Sequence, residues 1–436
     1  MTQPFPSFES AMNDHPRQHQ SLALALRSKL ENLPPLNFST EHTSSHRRWP
    51  SDLSSPASPR SVTSVFSAAN TANETEATGC STPRSRSSTF WKSELAFPDK
   101  KQGYIPHKPP LKVVLGTASL GSAQSPIAKI NTPEQASSFV RRFRARGYSD
   151  VDTARAYPVG RGGTCEKLLG EKQLRLRAWS NVSTKVSSFM PGSHRARNIE
   201  TSINRSLAAL DVECVDIMYL HAPDRATSFE ETCFAMDAAY KAGKFERFGL
   251  SNYQVADVRR ILDICRRNNL VLPTVYQGQY NPICRGAEKE LLALLRQNNI
   301  AFYAYSPSAC GFFTNKISRD RTPGDTGRWN VKSPLGAKYR GDYFHDSLFA
   351  AADMVRGHAA FYGISGHAAA LRWTTWHSDL QAERGDAVII GASSEEQLEE
   401  NLNILEQGPL PDSLLHVIER VWDDVKYLDK GPKFSF

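Results

Sequence analysis

The feature that most constrains the fold of this chain is an alternation that begins after Pro110. Short apolar runs are followed by amphipathic stretches, eight times over. The runs are Leu111 to Gly116, Tyr148 to Thr153, Trp179 to Val186, Cys214 to His221, Phe248 to Asn252, Thr274 to Tyr280, Ile300 to Ser306 and Asp386 to Gly391. Strands joined by helical segments pair in parallel, because each helix carries the chain back to the edge where the next strand starts. Eight units predict an α/β fold, a closed (β/α)8 TIM barrel over 109–436. An open dinucleotide-binding sheet would place G-x-G-x-x-G after its first strand. Here the chain reads Val114-Leu115-Gly116-Thr117-Ala118.

Helices are expected over Thr132 to Arg146, Thr164 to Lys172, Arg195 to Leu210, Ser228 to Ala242 (closed by Gly243), Val255 to Arg267, Glu288 to Gln297 and Ser394 to Glu406. One connection, Pro307 to Gly385, is far longer than the others. Its first half is rich in Gly, Pro, basic and aromatic residues, and a helix carrying Leu371, Trp373 and Trp376 is expected later in it. It leaves the C-terminal end of a barrel strand, where barrel sites are built, so it reads as a substrate or cofactor loop.

Residues 1–108 have a different texture, as in Ser54-Ser55-Pro56-Ala57-Ser58-Pro59-Arg60. Such a stretch buries too little apolar surface to offset its ordering entropy, and a long disordered N-terminal extension is expected. Leu22 to Leu33 is its one Leu-rich segment, read as a transient helix. The net charge is +8, but Lys and Arg are mixed with acids and no basic helix carries interleaved aromatics, which argues against a nucleic-acid partner. Seven widely spaced cysteines without a C-x-x-C pair argue against a disulfide framework or a metal site, and for the cytoplasm. No run is long and apolar enough for a membrane span, and no secretory signal opens the chain.

The strand ends carry the chemistry. Asp152 lies at the end of the second run, with Tyr157 just beyond; Lys185 lies at the end of the third before Val186, and the fourth ends in His221. A lone Asp at a strand end is ordinarily a cap, and a lone His a core residue. Four polar groups on three adjacent strands converge on one barrel mouth. Hydride delivery to a carbonyl carbon leaves charge on oxygen, which needs a proton donor and hydrogen-bond donors. Tyr157 can donate the proton, with Lys185 expected to lower its pKa, Asp152 to hold Lys185, and His221 to orient the carbonyl. No metal is required.

From about Leu111 to Lys433 the chain resembles the aldo-keto reductase superfamily, nearest the aflatoxin-aldehyde and succinic-semialdehyde reductase branch. The matching segments include Asp152-Thr153-Ala154 with Tyr157, Ser183-Thr184-Lys185, Asp216 to Ala222 (DIMYLHA), Phe248 to Tyr253, Leu272 to Asn281 (LPTVYQGQYN) and Gly385 to Leu402 (GDAVIIGASSEEQLEENL). The resemblance implies a catalytic tetrad of Asp152, Tyr157, Lys185 and His221, and NADPH/NADP bound across the barrel mouth. Asp152, Ser251, Asn252, Gln277 and Tyr305 would meet the nicotinamide end. Ser306, Pro307, Gly311 and Lys316 would lie along the pyrophosphate, with Arg328 near the 2′-phosphate. Gly391, Ser393, Ser394, Gln397 and Asn401 would form the phosphate-binding start of the eighth helix. Tyr157, His221, Tyr339 and Arg340 would face a small carbonyl substrate, a dialdehyde or a secondary-metabolite carbonyl. A homodimer is compatible with this reading. So is a cofactor-sensing barrel like potassium-channel β subunits. Pro158 to Glu166 is longer than the usual turn of relatives and lines the expected substrate entrance.

Overall fold

The computed structural model describes residues 107–320, 327–428 and 430–435, within the compact unit Glu94–Phe436. Leu22 to Leu33 and the rest of the N-terminal stretch to residue 106 lie outside the described residues.

Eight strands close in sequence order, β1 to β8, with β8 pairing back to β1. They are β1 (Lys112–Gly116), β2 (Asp150–Asp152), β3 (Asn181–Val186), β4 (Val215–Leu220), β5 (Phe245–Ser251), β6 (Pro273–Gln279), β7 (Ala301–Tyr305) and β8 (Ala387–Gly391). All pairs are parallel. Sequences such as KVVLG and AVIIG suit this role, because β-branched side chains fit strands covered on both faces. The (β/α)8 expectation is met. β2 is shorter than its apolar run, which reached from Tyr148 to Thr153.

The outer layer is α1 (Pro133–Ala145), α2 (Thr164–Leu169), α3 (Ala196–Leu210), α4 (Phe229–Lys241), α5 (Val255–Arg267), α6 (Leu291–Gln297), α7 (Pro334–Tyr343), α8 (Asp346–Ala360), α9 (Gly366–Trp376), α10 (Glu395–Leu405) and α11 (Asp412–Val425). Local chemistry sets several starts. Thr132 and Gln135 form a capping box ahead of α1, with Pro133 in the first turn. Ser228 accepts from the Glu231 amide at the start of α4. Three helices in the β7–β8 connection, α7 to α9, and the C-terminal α11 enlarge the expected scheme, which had only the helix now seen as α9.

Side chains alternate along each strand. On β3, Thr184 faces outward and donates to Glu166 on α2 at 2.7 Å, while Lys185 faces the barrel axis. The interior is filled by Val114, Ile217, Tyr219, Val275, Ala301, Tyr303, Ala387 and Ile389. This plug leaves chemistry to the C-terminal rim.

Candidate active site

The centre of the rim is a buried ion pair. The Lys185 ammonium, fully buried, donates to Asp152 Oδ1 at 2.5 Å and to the Thr153 carbonyl at 2.8 Å. Asp152 Oδ2 accepts from Gln277 Nε2 at 2.9 Å. Lys185 Nζ lies 5.2 Å from the Tyr157 ring centre, and the Tyr157 ring meets His221 edge-on at 5.6 Å. Asp152, Tyr157, Lys185 and His221, distant in sequence, therefore stand together.

Tyr157 differs electrostatically from the sequence expectation. Burial pushes its phenol above the ordinary tyrosine range, the Asp152 charge adds to that, and Arg328 opposes it. The Lys185 ammonium itself pairs with Asp152 at 2.5 Å. The phenol is thus held in its protonated, donating form. Burial also makes the Lys185 ammonium more acidic, and Asp152 counters this. His221 is held neutral, by burial first and then by the Lys185 charge.

A second layer fixes His221. Its backbone amide donates to Ser188 Oγ at 3.1 Å, and Ser188 Oγ lies 2.7 Å from His194 Nε2. Asp224 accepts the His194 amide and the Thr227 hydroxyl. The His221 carbonyl accepts from Asn252 Nδ2 at 2.9 Å. Behind the site Arg155 pairs with the buried Glu166 at 2.7 Å. Gly163, at φ 81°, leaves the space that Arg155 fills; a methyl group there would overlap the guanidinium.

Burial lowers the His194 pKa to about 4, against a smaller opposing effect of Asp224. His194 and His221 are both neutral in the fold, whereas the unfolded chain protonates them near pH 6.5. The unfolded state then binds more protons, so their contribution to stability is present above pH 6.5 and lost as pH falls toward 4. Chemical denaturation at stepped pH should lose up to about 1.4 kcal/mol per pH unit for each histidine in that window. Replacing His194 with Gln should flatten the slope; an unchanged slope would contradict the assignment.

The other expected residues ring the mouth. Ser251 and Asn252 close β5, and Gln277 sits on β6. Asn252, at φ 66°, also bonds Ser251 Oγ and accepts from the Tyr305 hydroxyl at 2.8 Å. Tyr305 ends β7, followed by Ser306 and Pro307. Ser306, Ala309 and Cys310 adopt left-handed backbone ahead of Gly311, a conformation costing about 1 kcal/mol or more per non-glycine residue and typical of ligand-clamping loops. Lys316 is exposed on the same loop. Beyond Gly391, Ser394 caps α10 by accepting from the Gln397 amide. Gln397 in turn accepts from the Ser393 amide and hydroxyl, and Asn401 Nδ2 donates to the Gly391 carbonyl at 3.1 Å.

The long connection supplies the rest. Tyr343 on α7 receives hydrogen bonds from Gln279 and Asn281, which ties that helix to the β6 end. Tyr339, nearly buried, and the half-buried Arg328 both act electrostatically on Cys310 and Tyr157. Arg328 is therefore at the Tyr157 end of the mouth. Arg340 does not present a free guanidinium to it: Nε donates to the Trp329 carbonyl at 2.7 Å and the group lies over Phe344. Sequence reasoning missed Phe189, 53% exposed, whose ring stands 4.9 Å from His221 beside Met190, 70% exposed. The available signal was an apolar pair just after the Lys185 strand.

This rim and barrel are what the comparisons with known proteins match. The Aldo/keto reductase family model covers residues 112–423, and the chain belongs to that family. Among similar proteins, an aldo-keto reductase of Pseudocercospora fijiensis is 39% identical over 67% of this chain and 99% of its own length. Oxidoreductase sirO of Leptosphaeria maculans is 37% identical over 74% of this chain and 96% of its own. Aflatoxin B1 aldehyde reductase member 2 of Mus musculus is 37% identical over 72% and 85%. The chain is thus an oxidoreductase of the carbonyl-reducing class, similar to the aflatoxin-aldehyde reductase branch. Among the described residues no helix is long and apolar enough to cross a membrane.

Proposed function

We propose that this protein is an NADPH-dependent reductase of aldehydes and ketones in which Tyr157 donates the proton. The observation that carries the reading is the convergence of Tyr157, the Lys185–Asp152 pair and a neutral His221 at one barrel rim. A phenol held protonated can donate, and a neutral imidazole can hydrogen-bond a carbonyl oxygen without competing as an acid.

The residues present fit a dinucleotide cofactor. The α10 start offers helix amides and the Ser393 and Ser394 hydroxyls to phosphate. Lys316 adds a positive charge, and Gly391 is open, with nothing within 4 Å of where a side chain would begin. Ser251, Asn252 and Gln277 offer polar groups beside the half-buried Tyr305 ring. NADPH bound there would supply the hydride. Tyr157 would protonate the oxygen, His221 would orient it, and Phe189 and Met190 would receive an apolar substrate flank. Arg328 would favour a substrate carrying an acidic group near its carbonyl. The free thiols, Cys165, Cys233 and Cys265 among them, support a reducing compartment such as the cytoplasm.

The test pairs two measurements on the full chain: NADPH binding by fluorescence quenching, and NADPH consumption with a panel of aromatic aldehydes and dialdehydes. Saturable binding with consumption and an alcohol product is the expected result. Tight binding without turnover across the panel would overturn the reading in favour of a cofactor-sensing barrel.

A further inference from the structure

Lys185, Tyr219 and Gly249 are consecutive partners across three adjacent strands: Lys185 pairs with Tyr219, and Tyr219 with Gly249. All three positions face the barrel axis. The Tyr219 ring is fully buried, and its centre lies 5.6 Å from Lys185 Nζ, close to the 5.2 Å that separates Nζ from the Tyr157 ring. Gly249 makes the room, since a methyl group there would overlap the Tyr219 ring.

An ammonium has three N–H groups, and here hydrogen bonds to Asp152 and Thr153 take two of them. Away from water, the remaining charge is best met by the negative face of an aromatic ring. We propose that Tyr219 is a positioning residue for carbonyl reduction, its ring giving the Lys185 ammonium a second aromatic face that keeps the lysine charged and in place beneath Tyr157. This rests on the reductase reading above. Gln277, which donates to Asp152, is among the groups that act on the Tyr219 phenol, whose hydroxyl makes no hydrogen bond among the described residues. The charged and titratable groups facing Lys185 are Asp152 on β2, Tyr157, Cys165 and Glu166 around α2, Tyr219 on β4 and His221 just beyond it.

Removing the ring deprives the cation of stabilisation, so Lys185 should lose its proton at lower pH. Tyr219→Met places an unbranched apolar chain there without an aromatic face, and Tyr219→Phe keeps the face without the hydroxyl. In Tyr219→Met, the alkaline limb of kcat should move down by about one pH unit, with the KM for NADPH nearly unchanged. Tyr219→Phe should keep the parent limb. Gly249→Ala, which displaces the ring while retaining it, should shift the limb in the same direction as Tyr219→Met and covers the case in which Met fails to fold.

A readout independent of turnover separates this proposal from the reductase reading. In protein labelled with 13C at lysine Cε, the Lys185 resonance, assigned by its loss in Lys185→Met, should titrate at lower pH in Tyr219→Met than in the parent. An unmoved Lys185 titration in folded Tyr219→Met, or a Tyr219→Phe shift as large as that of Met, would overturn it. A lowered melting temperature with an unmoved titration would mark Tyr219 as core filling and also overturn it. If the parent proves unable to reduce carbonyls, the reductase reading fails while the titration still decides the lysine contact.

Discussion

Replacing Tyr157 with Phe should lower kcat for an aldehyde about 10³-fold while leaving NADPH affinity within about twofold. The ring stays, so its edge contact with His221 and its place beside Lys185 are kept. Only the hydroxyl goes. Because burial holds this phenol protonated, the parent should keep its activity well into the alkaline range, and the decline should follow the more acidic Lys185 rather than Tyr157. Stopped-flow single-turnover kinetics would separate the chemical step from product release. A loss confined to KM would assign Tyr157 to binding alone.

Replacing Lys185 with Met should remove activity to a similar extent and also weaken the fold. Met is close to Lys in length and leaves no cavity, but it strands the Asp152 carboxylate in a site where, among the described residues, Gln277 alone still donates to its side chain. Breaking a buried pair in this way costs about 3 to 5 kcal/mol. The penalty belongs to the uncompensated carboxylate, so removing that charge should relieve it. Adding Asp152→Asn to Lys185→Met should recover much of the stability and none of the activity. Denaturant titrations of the two variants check this. Equal stability of parent and Lys185→Met would mean that the pair is not buried as described.

The barrel was legible because its strands combine continuous apolar runs with turn residues at regular intervals. Polar residues at or just beyond the C-terminal ends of β2, β3 and β4 broke that pattern, which pointed to Asp152, Lys185 and His221. The helices between β7 and β8 were harder to read. In α7, Gly336 and Gly341 weaken any intrinsic helical signal, and the helix is held instead by the Ser333 cap and by Tyr343 docking on Gln279 and Asn281. α8 is Ala-rich, and its buried Leu348, Phe349, Ala352 and Val355 make a narrow stripe inside a segment dominated by loop composition. α11 carries a clear helical period in Leu414, Ile418, Val421 and Val425, but eight barrel units do not require it.

At the site, sequence placed the residues but not their pairings. Arg340 stood beside Tyr339 in sequence, yet helical geometry turns it to the Trp329 carbonyl. Gln277, expected at the nicotinamide, already donates to Asp152, so it belongs to the ion-pair network as well. The direction of the Tyr157 shift is set by its burial first and by the nearby Asp152 charge second, and no spacing in the chain reveals either.

The most direct test of the account follows the hydride itself. NADPH with both nicotinamide C4 hydrogens replaced by deuterium would be incubated with the protein and 4-nitrobenzaldehyde, and the alcohol examined by mass spectrometry and NMR. One deuterium on the former carbonyl carbon is expected for each NADPH consumed, with formation of the labelled alcohol suppressed in Tyr157→Phe. An alcohol without deuterium, or equal labelling rates in the parent and Tyr157→Phe, would contradict it.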